Sequence, residues 1–388
     1  MKKTIGSLVA VLLLAGAVAA QTTSTVLQSG NNQKVTVSQD GNQYMQSATV
    51  TQTNSSNNAT ISQNSENGAP NTATVLQNGV GNVAAISQTM IGSEQYNTMG
   101  NIASIEQVGN SNVSHQTAYG TNWNGENEQG IQHGNGNSLL QNMYEGYTTG
   151  LQATQIGNYN TATQYTTGAW LNGSVSQNGN SNSARQIINS NINNYGAVNQ
   201  SGNNNTAVQN MSGGAYNDPT NNENHATIAQ NGNFNQSNQT MSGIGDHETA
   251  TIHGSGNITS QAVSSNYDHS NTEIHGNYNK SSEVQSGGSA NESYNSIEGN
   301  NNTLSVVQIG AGNLSGSSIL APGILQNGSY NEATLYQYGS NNASTIQQLG
   351  SSNTAIVTQG TLAIPTTSAV SAIMQSGNGN VARVSQSN

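Results

Sequence analysis

Glutamine recurs every eleven residues at Gln326, Gln337, Gln348 and Gln359. The positions between them repeat too. Gly328, Asn331, Ala333 and Leu335 are followed by Gly339, Asn342, Ser344 and Ile346, then by Gly350, Asn353, Ala355 and Val357. The unit is Gln-x-Gly-x-x-Asn-x-Ala-x-aliphatic-x-Gln. A fixed period of this kind describes stacked copies of one small unit, each touching its neighbours, and not a chain wound around one globular core.

Composition without the period would point elsewhere. Only 6% of the 388 residues are charged and there is one Phe against 44 Gly, a polar mixture of the low-complexity kind that tends to β-aggregation. Small apolar residues held on a constant phase separate this chain from a disordered tract, which lacks such a pattern.

Parity identifies each arm. Asn342, Ser344, Ile346 and Gln348 share one phase of a two-residue alternation, and residues of one phase lie on one face of a strand. Charged residues of the well-formed arms, such as Glu106 and Arg383, fall on the opposite phase. The Ala/Ile/Gln phase is therefore inward, and in those arms it carries no charge. Gly-x-x-Asn suits positive φ and side-chain turn bonds, so it forms the corner between arms. The four prolines, Pro70, Pro219, Pro322 and Pro365, fall between arms, as residues that cannot donate to a strand ladder should.

The fold class that follows is all-β: a β-solenoid of stacked strand-turn-strand rungs, about 22 residues per rung in two 11-residue arms, with rungs about 4.8 Å apart. Buried amides would be costly alone, but copies above and below can donate to and accept from one another. The predicted assembly ladder comprises Gln28, Gln39, Gln52, Gln63, Gln77, Gln88, Gln107, Gln308, Gln326, Gln337, Gln348, Gln359, Gln375 and Gln386 with Asn57, Asn82, Asn331, Asn342, Asn353 and Asn380. The predicted inward apolar set is Ala59, Ile61, Ala84, Ile86, Ala333, Leu335, Ile346, Ala355, Val357, Ala382 and Val384.

Residues 1–20 have the form of a secretory signal: Lys2 and Lys3, a short apolar run, and small residues at Ala17, Ala19 and Ala20. Residues 21–388 read as a single repeat array. It comprises N-terminal repeats over 26–107, looser repeats of 22 to 23 residues over 132–297, and regular C-terminal repeats over 297–388. In the middle region Gln132, Gln155, Gln177, Gln200, Gln230, Ile252, Ile274 and Ile297 correspond. In four units a glutamine (Gln164, Gln186, Gln209, Gln239) stands two places early, ahead of Thr166, Ile188, Met211 and Met241. The chain leaves the signal with an arm near Val26 and closes with one over residues 382–388, so both ends of the stack are expected to be open.

Past the signal, four basic residues stand against 17 acidic ones, a poor match for nucleic acid or anionic lipid. No stretch is apolar enough for a membrane span, and there is no cysteine. The few basic residues are too scattered for a hydrolase face, and Gly134-Asn135-Gly136 lacks the strand-to-helix setting of a phosphate loop. No enzyme and no cofactor is expected. His225, His247 and His269 are spaced by 22, and so are His253 and His275. Stacked rungs would make them imidazole columns, open either to a transition metal or to a pH response, or else simply exposed corner residues copied along with their repeat.

The unit, as it stands from Gln52 to Gln63, Gln77 to Gln88, Gln326 to Gln337 and Gln375 to Gln386, resembles the curlin repeat of bacterial curli fibre subunits. The resemblance implies a secreted subunit that polymerises head to tail into extracellular amyloid fibres at the bacterial cell surface, for adhesion and biofilm matrix. It also implies other curli-type subunits and an outer-membrane secretion channel as partners. A minor nucleating subunit, or a monomeric solenoid with an ice- or carbohydrate-binding surface, are the alternative readings.

Overall fold

The computed structural model describes residues 22–41, 46–66, 70–91, 100–121, 127–144, 149–190, 193–213, 223–318 and 321–387. Residues 1–20, read as a signal, lie outside these, as does Pro219. Every regular element among the described residues is a strand, and no helix is long and apolar enough to cross a membrane. The chain is a β-solenoid with about 24 residues per turn. It divides into two compact units, Met1–Ile187 and Ile188–Asn388.

Within the first unit each rung is two strands joined by a short corner, as in Ser47–Ser55 with Asn58–Glu66 and Thr72–Val80 with Val83–Ile91. First strands pair only with first strands and second with second, always parallel. Gln28 lies opposite Gln52, and Gln52 opposite Gln77. Parallel neighbours need a crossover connection, and here the other strand of the rung supplies it. Two facing sheets result. The first arm begins at Thr23, three residues ahead of the Val26 that the repeat pattern marks.

The second unit is built the same way, from Asn194–Ser201 with Thr206–Gly213 through to Val370–Ser376 with Val381–Gln386. One rung is split. Its first strand breaks into Leu314–Ser318 and Ile324–Asn327, and the bulge between them contains the short pair Ala321–Pro322, antiparallel to Gly316 and Ser318. Pro322 is thus paired, but outside the parallel ladder.

The two corners of a rung are not equivalent. First-to-second connections in the second unit are uniformly four residues long, as between Asn231 and Gln236 or Asn327 and Glu332. Return connections range from two residues, between Ser340 and Ala343, to ten, between Gly213 and Asn224. Apart from the bulge that splits one first strand, insertions in the second unit lie at the return edge, where added length leaves the phase of the strands intact. Ladder spacing accordingly runs from 22 residues between Gln155 and Gln177 to 30 between Gln77 and Gln107.

The constant corner is Gly-x-x-Asn, and its geometry explains its composition. Gly328 has φ 134°, Tyr330 has φ 59°, and a Cβ on Gly328 would sit 1.8 Å from the carbonyl oxygen of Gly350 in the next rung. Asn331 closes the corner: its Nδ2 donates to that same Gly350 carbonyl at 2.8 Å.

Core residues follow the predicted parity. Ala59, Ile61, Ala84, Ile86, Ala333, Leu335, Ile346, Ala355 and Val357 are all buried. Ala382 and Val384 are half-buried because no further rung covers them among the described residues. Gly328→Ala should destabilise the second unit by about 1–3 kcal/mol, the cost of forcing a side chain into a strained, sterically closed position. Chemical denaturation followed by circular dichroism checks this, and an unchanged midpoint would contradict the corner geometry.

Candidate assembly interface

The inward glutamines form hydrogen-bonded columns. In the first sheet of the first unit Gln28 donates through Nε2 to Oε1 of Gln52 at 2.8 Å, Gln52 to Gln77 at 2.7 Å, and Gln77 to Gln107 at 2.8 Å. The run continues through Gln132 and Gln155 to Gln177. In the second unit Gln326 donates to Gln348 and Gln348 to Gln375, each at 3.0 Å. The second sheet repeats the arrangement from Gln39 to Gln63 to Gln88, and from Gln285 through Gln308, Gln337 and Gln359 to Gln386.

Two properties of these columns matter. Most of these amides spend their second N–H on a main-chain carbonyl of the facing sheet, as Gln348 does on Glu332 at 2.9 Å and Gln326 on Thr303 at 2.9 Å. The columns therefore clamp the two sheets together as well as the rungs. They are also polar: every Nε2 to Oε1 bond points from an earlier rung to a later one. Three runs consequently begin with an oxygen that lacks a donor. Oε1 of Gln116, Gln285 and Gln326, each the first of its run, is buried without a partner.

Asparagines make separate columns at the corners. Asn57, Asn82, Asn331, Asn353 and Asn380 stand at the constant corner, where Oδ1 of one residue accepts the backbone N–H of the next: Asn82 on Asn57 at 3.0 Å, Asn353 on Asn331 at 3.0 Å, Asn380 on Asn353 at 3.0 Å. Asn342, which the sequence pattern groups with them, belongs to the opposite corner and sits on Asn313. The eleven-residue repeat makes the two corners look alike, and only the rung distinguishes them.

The early glutamines of the middle region occupy a displaced column, as their order predicts. The displacement starts sooner and ends later than the four predicted units. Gln116 lies opposite Ile86 while Ala118 lies opposite Gln88, and the displaced run passes through Gln141 and Gln164 to Gln186. In the second unit it runs Gln209, Gln239, Gln261. Gln88, left without a glutamine above it, donates instead to the carbonyls of Thr72 and Asn101, each at 3.0 Å.

Three inward residues break the expectation of an uncharged interior. Glu128, Glu248 and Glu283 are buried on the Ala/Gln phase. They lie in loosely matching arms, where a charge reads most simply as an outward residue, and only the phase count from a neighbouring rung places them inside. Burial raises the Glu248 carboxyl well above its ordinary range, with the charge of Glu283 adding to the effect.

The histidine columns form as spaced. His225 and His247 stack with ring centroids 4.9 Å apart, His247 and His269 lie at 4.9 Å but tilted, and His253 stacks on His275 at 4.9 Å. His225 contacts Glu223 at 3.0 Å and His275 contacts Glu273 at 2.7 Å. Partial burial, and then the neighbouring His269 and His225, push the His247 imidazole down to about 4. Among the described residues no group of three or more His, Cys, Asp or Glu side chains is arranged to hold a metal ion.

The model of the Curlin associated repeat matches residues 299–338 and 328–360. These windows contain Gln308, Gln326, Gln337, Gln348 and Gln359, the most regular part of both second-unit columns. Residues 299–360 thus carry curlin associated repeats. No curated protein matches the chain. Outside the matched windows the same register is found in the pairing, since Gln28, Gln52 and Gln77 hold the same positions opposite one another as Gln326, Gln348 and Gln375. Gln348→Leu deletes the acceptor of Gln326 and the donor to Gln375 within a buried column, so it should lower stability by about 1–3 kcal/mol. The neighbouring, outward Gln347→Leu should stay within about 0.5 kcal/mol of the parent. Equal denaturation midpoints for the two variants would refute the ladder's role.

Proposed function

We propose that the chain is a secreted structural subunit that self-assembles through stacked rungs into extracellular, curli-like amyloid fibres serving adhesion and biofilm matrix. The curlin repeat implies self-assembly into fibres, and the family is one of structural subunits and not of enzymes. Other curli-type subunits and an outer-membrane secretion channel are the partners this reading brings with it.

The observation that carries the reading is the match between the two terminal rungs. In Thr23–Asn31 and Lys34–Gly41 the half-buried inward residues are Val26 and Gln28, then Val35, Val37 and Gln39. In Val370–Ser376 the inward residues are Ile373 and Gln375, both buried, and in Val381–Gln386 they are Ala382, Val384 and Gln386, half-buried. Set one rung apart in register, aliphatic meets aliphatic and glutamine meets glutamine on both sheets.

Column polarity makes this contact directional. Gln375 and Gln386 each give one N–H to a main-chain carbonyl, of Thr354 at 3.0 Å and Val370 at 2.9 Å, and keep the other for a rung above. Gln28 and Gln39 donate onward to Gln52 and Gln63, and among the described residues no donor reaches their Oε1. Late end on early end joins donor to acceptor; early end on early end would oppose two acceptors. Such a heterologous contact does not close on itself and generates filaments.

The test is Ile346→Pro. The Ile346 N–H donates to the Gly323 carbonyl inside the ladder, and proline removes that donor. The chain lacking residues 1–20 should form thioflavin-positive fibres, and the variant should show a longer lag and a lower yield. Unchanged lag and yield would contradict assembly through this ladder.

A further inference from the structure

Glu248 and Glu283 are fully enclosed between the two sheets of the second unit. Glu283 takes the place of a ladder glutamine, opposite Gln261, while Glu248 stands where the adjoining rungs have Ala226 and Ser270. The contacts on Glu283 Oε2 are long: Thr272 Oγ1 at 3.4 Å and Asn295 Nδ2 at 3.2 Å. Its Oε1, both oxygens of Glu248, and the oxygens of Asn295 and Gln285 are buried with no hydrogen-bond partner. What this pocket lacks is donors, in surroundings where an unpaired acceptor is costly.

We propose that these two carboxyls are a proton lock: the rungs around them close when Glu248 and Glu283 carry protons and open when they ionise. A protonated carboxyl brings an O–H donor into the group of orphaned oxygens and removes two like charges from an enclosed space. An ionised pair adds charge and no donor. Among the described residues no cation is paired with them. From the strands on either side the inward residues are neutral, including Ala226, Ser270, Thr272 and Ser293. Lys280 is exposed on the outer face.

Other titratable groups nearby divide in sign. Asp246 and Asp268 sit at the variable corner in place of asparagine; Asp268 Oδ1 accepts the Asn291 N–H at 2.7 Å, and Ser265 donates to its other oxygen. Outward on the same rungs lie Glu223, Glu273, Glu292 and Glu298 with the column His225, His247, His269. Burial raises Asp246 to about 7, raises Asp268, and raises Glu283 to about 7 against the opposing hydrogen bonds of Ser293 and Ser270.

The signs follow from linkage. A carboxyl whose folded value is raised takes up a proton on folding, so its contribution is fullest below the ordinary value of 4.5 and is lost as pH rises through about 7. His247 works oppositely: its contribution is present above 6.5 and is lost as pH falls towards about 4. The rungs are tightest in mild acid, bounded above by the carboxyls and below by His247. None of this depends on fibre formation, since the lock lies inside one chain.

Hydrogen exchange on the chain lacking residues 1–20 tests it directly. Between about pH 5.5 and 7.5, protection of amides over 246–298, corrected for intrinsic exchange, should fall at least tenfold per pH unit, the change for one linked proton. Protection over 332–376 should stay level. In the Glu248→Gln/Glu283→Gln variant the 246–298 protection should lose most of this pH dependence and at pH 7.5 exceed that of the parent. The same pH dependence in variant and parent would overturn the proposal. Should the variant fail to fold, carboxyl carbon NMR of glutamate-labelled parent at pH 6 decides: two protonated glutamates are expected, and a fully ionised set would overturn the lock.

Discussion

Everything in this fold depends on each inward side chain lying opposite a counterpart one rung away. The parallel backbone ladder sets that register, and the register turns an otherwise unfavourable interior into a satisfied one. A single buried glutamine in a thin core would leave donors and acceptors unpaired. In a column most amides give one N–H to the next amide and the other to the facing sheet, as Gln52, Gln77 and Gln348 do. Small apolar residues fill the remaining space, so the two sheets need little hydrophobic mass to stay together.

That dependence also explains where the chain tolerates change. Return corners run to as many as ten residues because they lie outside the strands, whereas the Gly-x-x-Asn corner keeps its length. Its glycine packs against a carbonyl of the adjacent rung, and its asparagine hydrogen-bonds to it. Ladder glutamines keep their pairing when they are shifted as a column. The displaced glutamines from Gln116 to Gln186 remain paired because they move together, and Gln116 at the head of that run keeps an oxygen that has no donor.

Much of this was legible in the residues. The shared phase of Asn342, Ser344, Ile346 and Gln348 marks one face of a strand, and all four are buried. Constant spacing set the rung, and the order of Gln164 and Thr166 announced the displaced column. Less legible was anything decided by neighbours in space. The two asparagine corners share one local motif and separate only when rungs are paired. Glu128, Glu248 and Glu283 carry charges that locally argue for solvent, and their place inside follows from the strands above and below. The insertion preference for one corner was likewise hidden, since an eleven-residue repeat does not say which corner is which.

The central claim is that like-on-like stacking within the chain continues between chains. Fibre diffraction with electron microscopy of the chain lacking residues 1–20 tests it most directly. The account predicts long unbranched fibres and a meridional reflection at about 4.7–4.8 Å, the spacing of hydrogen-bonded strands stacked along the fibre axis. Dispersed single molecules, with no such reflection under conditions where the chain is folded, would contradict it.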